Sequence, residues 1–92
     1  MEKYTDEKIQ HQLEDLKDWK FVNNAIEKKF KFLDFTQALG FIVQVGLMAE
    51  KRNHHPEIFN VYNKVSIRLN THDANGVIEK DFDLAKAIDL IA

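Results

Sequence analysis

Three of the four histidines fall within nineteen positions of one another: His54, His55 and His72. Imidazole titrates nearest to neutral pH of all side chains, so it can both give and take protons in one turnover. Pro56 follows the pair directly and disfavours helical geometry at His55, which puts the two rings at a helix exit or in a loop. His72 closes an alternating run. Val65, Ile67, Leu69 and Thr71 share one parity; Ser66, Arg68, Asn70 and His72 share the other. With the first parity facing a core, His72 lies outside it. If that strand returns beside the helix exit, all three imidazoles meet.

Spacing alone leaves three readings of this cluster open. The first is acid–base work by two or three imidazoles. The second is a zinc site, for which histidine and carboxylate ligands are at hand. Against it, the adjacent His54-His55 lacks the i, i+4 spacing of the HExxH motif. The third is a set of solvated loop histidines with no chemical task. His11 stands alone and reads as a surface residue. Tyr62 and Asn63 are candidates for lining a pocket, although a strand tyrosine is commonly packing. Asp81 falls in the first turn of the last predicted helix, where the helix dipole alone favours a carboxylate. No serine or cysteine nucleophile stands beside a base, and no phosphate-binding glycine loop is present.

The elements that must position these groups follow from periodicity. Thr5 is a plausible N-cap, and Ile9, Leu13 and Leu16 form the stripe of a short helix ending before Trp19. Trp19–Val22 and the segment with Ile26, Phe30 and Phe32 on one parity predict a hairpin turning at Asn23-Asn24. Lys28 breaks that pattern as an edge-strand lysine would. Asp34, with Gln37 at the capping-box position, opens a helix over Phe35–Glu50. Phe35, Leu39, Ile42, Val43 and Leu47 make one broad face, with Phe41, Val45 and Met48 partly outside it. A helix apolar nearly all round is buried on two sides, and in so short a chain the second side predicts a subunit interface. A strand region over Val61–Thr71, a loop at Asp73–Gly76 and a helix from near Ile78 complete the chain. Phe82, Ala85, Ile88 and Ile91 of that helix face the core. The order predicts an α+β fold: an antiparallel sheet of about four strands with three helices on one face.

With 92 residues the chain is one domain, 1–92, and its single core is marginal. The absence of cysteine rules out disulfides and thiolate metal sites, which leaves oligomerisation as the common remedy. The net charge of −2 and the lack of a basic stripe give no signature of direct nucleic-acid binding. The N-terminus is unlike a signal peptide, and the apolar run Ala38–Ala49 is too short to span a bilayer. A soluble cytoplasmic protein is expected.

The run Glu50–Asp81, EKRNHHPEIFNVYNKVSIRLNTHDANGVIEKD, resembles the signature of pterin-4a-carbinolamine dehydratases. The matching features are E-K, H-H-P, a tyrosine six residues past the proline, an apolar strand, and T-H before a glycine turn. Upstream, a tryptophan, a hairpin and F-x-F-x-D-F at Phe30–Phe35 are similar too, so the likeness covers Trp19–Ala92. It implies His54, His55 and His72 as active-site histidines. It implies substrate contacts from His54, His55, Pro56, Thr71, His72, Asp73 and Ala74, with Asp81 in support. The implied reaction dehydrates a 4a-hydroxytetrahydropterin, the product of aromatic amino-acid hydroxylases, with neither cofactor nor metal. The family assembles as dimers or tetramers, so a homodimer or homotetramer is expected. Some members also serve as dimerisation cofactors of a homeodomain transcription factor through the long helix. That function, and pterin binding without this reaction, are the alternatives. One departure stands out: where the family has a capping serine or threonine after the turn glycine, this chain has Ile78, a loss typically worth ~1 kcal/mol.

Overall fold

The computed structural model describes residues 2–92. Helix α1 spans Asp6–Leu13, with Thr5 as N-cap accepting from the Lys8 N–H. Strands β1 (Lys20–Val22) and β2 (Ala25–Lys31) follow, joined by Asn23 and Asn24, both in the left-handed region at φ 50° and 63°. Two successive left-handed residues form the tight turn that matches strand twist. Helix α2 spans Phe35–Arg52. Asp34 accepts from the Gln37 N–H, while the Gln37 side chain accepts from Leu33, one residue before the cap. Strands β3 (Glu57–Val61) and β4 (Lys64–Leu69) precede a single 3-10 turn, His72–Ala74, and helix α3, Glu79–Ile91. Leu16 lies beyond the end of α1 yet is buried, so the first apolar stripe outlasts its helix.

The sheet runs β1-β2-β4-β3, antiparallel throughout. Its inner face carries Ile26, Phe30, Val65, Ile67 and Leu69, all buried, against Phe41, Val45, Phe82 and Ile88 of the helices. The core parity expected for β4 is therefore the observed one. Thr71 continues it and is also buried.

One local expectation is corrected, and one point left open is decided. β2 is an interior strand, so Lys28 guards no edge. It sits opposite the buried Ile67, on the helix side, and its ammonium lies 2.9 Å from Asp89 of α3. The sequence left open which side of α2 meets the core, and it is not the broad apolar face. Ala38, Phe41, Val45 and Ala49 face inward, with the Phe41 ring 4.9 Å from Phe30 and 4.8 Å from Phe32. Phe35, Leu39, Val43 and Leu47 face out, at 46%, 43%, 60% and 69% exposure. Aromatic packing against the sheet decides the rotation of the helix, and hydrophobicity alone does not reveal it.

Candidate active site

The register of the sheet brings the histidines together. Asn53 ends α2 in the left-handed conformation (φ 50°), its N–H bonded to the carbonyls of Ala49 and Glu50. Asparagine tolerates that conformation at a helix C-terminus, and it reverses the chain toward β3. Glu57 at the start of β3 pairs with Arg68 near the end of β4. His54 and His55, just before Glu57, therefore lie beside Asn70, Thr71 and His72, just after Arg68. Asn75, at φ 54°, closes the turn after His72, and a bridge between Thr71 and Gly76 holds its ends. The result is a cleft of about 750 Å³ lined by Asn53, His54, His55, Glu57, Arg68, Asn70, Thr71, His72 and Asp73.

The three imidazoles stand in different environments. His54 is nearly buried, and its Nε2 lies 2.5 Å from Oδ1 of the fully buried Asp81. The other oxygen of Asp81 accepts from the Thr71 hydroxyl and from the Ile78 N–H, each at 2.9 Å. Three donors thus hold one carboxylate, and the carboxylate fixes the plane of His54. With Nε2–H donating to Asp81, Nδ1 is the nitrogen left for a proton exchange. His55 Nε2 lies 2.8 Å from Glu50 on the surface of α2, both groups well exposed. His72 is exposed on the 3-10 turn.

Of the expected contact residues, Thr71 and Asp73 line the cleft, whereas Pro56 and Ala74 are half-buried and do not. Asp81 lies behind His54. Its position in the first turn of α3 is as expected, but its partners reach well beyond the helix dipole. Tyr62 and Asn63 form the β3–β4 turn, far along the strands from the cleft. Tyr62 is exposed, and Asn63 is buried with its amide donating to Phe32 O. His11 is exposed near Glu14. Asn53, Glu57, Arg68 and Asn70 were not singled out as site residues. The signal for two of them was already in the alternation: Arg68, Asn70 and His72 share one parity and the same cleft. Among the described residues no three His, Cys, Asp or Glu side chains gather in a metal-holding arrangement.

An open antiparallel sheet layered with helices, with an imidazole seated on a buried carboxylate at the strand ends, defines a small α+β protein equipped for proton transfer. The family model for pterin 4 alpha carbinolamine dehydratase matches residues 2–91. A protein of Burkholderia orbicola assigned as a pterin-4-alpha-carbinolamine dehydratase is 48% identical over 89 residues, covering 95% of this chain and 87% of its own. A Rhizobium johnstonii protein with the same assignment is 48% identical over 94 residues, covering 100% of this chain and 93% of its own. The crystal structure of a transcriptional coactivator/pterin dehydratase from Brucella melitensis superposes with a TM-score of 0.94 at 43% identity, covering 98% of each chain. The chain belongs to the pterin-4a-carbinolamine dehydratase family.

Proposed function

We propose that the chain is a 4a-hydroxytetrahydropterin dehydratase acting in pterin recycling, with His54, His55 and His72 as its chemical groups. The observation that carries the residue assignment is the pair His54–Asp81, a nearly buried imidazole on a fully buried, triply bonded carboxylate, opening on a cleft with the other two histidines.

In the reaction the C4a–O bond breaks, N5 loses its proton, and a C4a–N5 double bond forms as water departs. One group must protonate the leaving oxygen and another must receive the N5 proton. His54 is assigned as the base: Asp81 holds its ring through Nε2, which leaves Nδ1 to take the N5 proton. His72, exposed across the cleft, supplies the proton to the hydroxyl. His55, tethered to Glu50, orients the ring system alongside Thr71 and Asp73. The residues supply both proton transfers themselves, so the reading calls for no cofactor.

The exposed α2 stripe of Phe35, Leu39, Val43 and Leu47 supports assembly as a homodimer or homotetramer. A cytoplasmic site, with an aromatic amino-acid hydroxylase as the source of substrate, fits this chemistry. The same stripe favours a second reading, a dimerisation module for another protein. The histidine cleft discriminates between the two, because docking through α2 makes no use of it.

The test is a coupled assay. A hydroxylase generates the 4a-carbinolamine, and the absorbance decay of that intermediate is followed with and without the protein. Accelerated decay, lost in the double variant His54→Ala, His72→Ala, is the expected result. Unchanged decay with a folded protein would remove the enzymatic reading and leave the interaction module.

A further inference from the structure

We infer that Asn24, in the turn between β1 and β2, is a positioning residue for His72: its side-chain amide holds the 3-10 turn that presents this imidazole to the cleft. The link to proton transfer rests on the dehydratase reading; the tether itself does not.

Of the three imidazoles, His72 alone lacks a partner of its own. His54 sits on Asp81 and His55 on Glu50, whereas the exposed His72 ring makes no hydrogen bond or ion pair among the described residues. Its place is therefore set by the backbone of the turn. That turn is closed from within: the Thr71 N–H donates to Gly76 O at 2.8 Å, the Ala74 N–H to Thr71 O at 3.1 Å and the Asn75 N–H to His72 O at 3.0 Å. Among the described residues, one hydrogen bond reaches residues 72–75 from elsewhere in the chain, from Asn24 Nδ2 to Asn75 O at 3.0 Å. Asn75 thus accepts from Asn24 with its carbonyl and holds His72 O with its N–H. Through these two bonds the hairpin turn reaches the backbone of His72 itself.

The base of the tether is fixed. Arg68 of β4 donates to Asn23 O at 2.6 Å and to Val22 O at 3.4 Å, which ties the hairpin turn to the strand that leads into His72. The Asn24 side chain also lies over Gly76, where a β-carbon would sit 3.6 Å from its Oδ1.

The hairpin does not need this amide for itself. Asn23 and Asn24 are both left-handed, and such a two-residue turn is best served by Asn followed by Gly, which enters that region without steric cost. Donor and acceptor of the tether lie at the surface, where water can satisfy either, so the bond adds little to global stability. What it restricts is a short exposed turn, the kind of segment that opens most readily. An acid–base group acts only within hydrogen-bond reach of its proton, so a turn held in one place raises the fraction of time His72 is competent.

The experiment compares Asn24→Gly and Asn24→Asp with wild type in the full-length protein. The first gives the turn its favoured pair and deletes the amide. The second keeps the size and the tolerance of left-handed backbone but has no N–H to donate. NMR relaxation of the backbone amides needs no substrate: in both variants His72, Asp73, Ala74 and Asn75 should lose order while His54 and His55 keep theirs. In the carbinolamine decay assay kcat should fall about two- to tenfold in both, the net worth of one hydrogen bond, with KM little changed. The melting temperature of Asn24→Gly should stay at or above that of wild type, whereas a merely structural role would lower it and leave kcat in place. Unchanged order at His72–Asn75, an unchanged kcat, a loss confined to KM, or a kcat loss that comes with a lower melting temperature of Asn24→Gly would each overturn the proposal. The two readings fail separately. Loosening of the turn in both variants, with a wild type that does not accelerate the decay, sinks the dehydratase alone and leaves the tether standing. Dehydration by wild type with kcat unmoved in the variants sinks the positioning role alone.

Discussion

Asp81 shows why one residue can be named from a sequence while its task stays hidden. The helix dipole explains a carboxylate at that position. It does not explain three donors from three segments: His54 after α2, Thr71 after β4 and Ile78 before α3. Those contacts span 27 residues of chain, and no local pattern encodes them. The histidines were legible because imidazoles are few and the proline beside them is unusual. Asp81→Asn keeps the shape but replaces an acceptor with an amide that must present N–H to at least one donor. The expected outcome is a loss of roughly 10- to 100-fold in kcat, within the worth of a positioned acid–base group. A stability loss of about 1–3 kcal/mol should accompany it, the usual cost of an unsatisfied buried polar group. Steady-state kinetics with urea unfolding measure the two separately. Because Asp81 positions His54, the kcat loss should come with an altered pH–rate profile, whereas simple helix destabilisation would leave that profile in place. Thr71→Val removes one donor of three and should cost less on both counts.

At the scale of elements, α3 turns the departure at Ile78 into a trade. Ile78 has no side-chain acceptor, yet α3 starts directly after it, with Ile78 extended and its N–H taken by Asp81. Only the backward half of a capping box exists, and the side chain is buried instead, at 4% exposure. Apolar burial worth about 2 kcal/mol stands in for a cap worth about 1. Ile78→Ala loses that burial and should cost about 2–4 kcal/mol. Ile78→Thr should cost less than half of that, since its hydroxyl regains the Asp81 N–H; thermal melts of the two variants decide it. The hairpin shows a different trade. Lys28 interrupts the apolar parity of β2, and from sequence the interruption reads as an exposed edge. In the fold its ammonium and the Trp19 indole N–H both bond to Asp89, 61 and 70 residues away. Lys28 and Asp89 are 16% and 25% exposed, so solvent screens the pair only in part. Asp89→Ala leaves a half-buried ammonium and an indole N–H without their acceptor, at an expected cost of about 1–3 kcal/mol. Trp19 is the only tryptophan, so its emission reports the local change directly. An unchanged spectrum with unchanged stability would show that water replaces the carboxylate.

For the whole molecule, the sequence disclosed a two-sided helix but not which side was which. Both faces of α2 are apolar at helical spacing; the aromatic cluster of Phe30, Phe32 and Phe41 chooses between them. The consequence is measurable in area. A single chain exposes 6141 Å², whereas monomers of 10.8 kDa follow a scaling law that gives about 5,500 Å². The excess of several hundred Å² is the order of one partner's share of a standard interface. The outward stripe recurs every four residues, at 35, 39, 43 and 47, so it runs along the helix as one seam. A seam of this kind pairs well with its own copy, since a two-fold axis across it places each residue against an equivalent set. A glutamate at Val43 or Leu47 would put two like charges into the pairing while leaving the core side of α2, from Ala38 to Ala49, untouched. Light scattering of Leu47→Glu should therefore report a smaller particle than wild type. Far-ultraviolet circular dichroism should be unchanged, and the melting temperature should depend less steeply on protein concentration. Decay of the carbinolamine should persist per chain, because the residues of this chain that line the cleft lie beyond the C-terminal end of the seam. A variant that keeps its wild-type mass would move the interface to the exposed side of β3, where Phe59 and Val61 are 67% and 56% exposed.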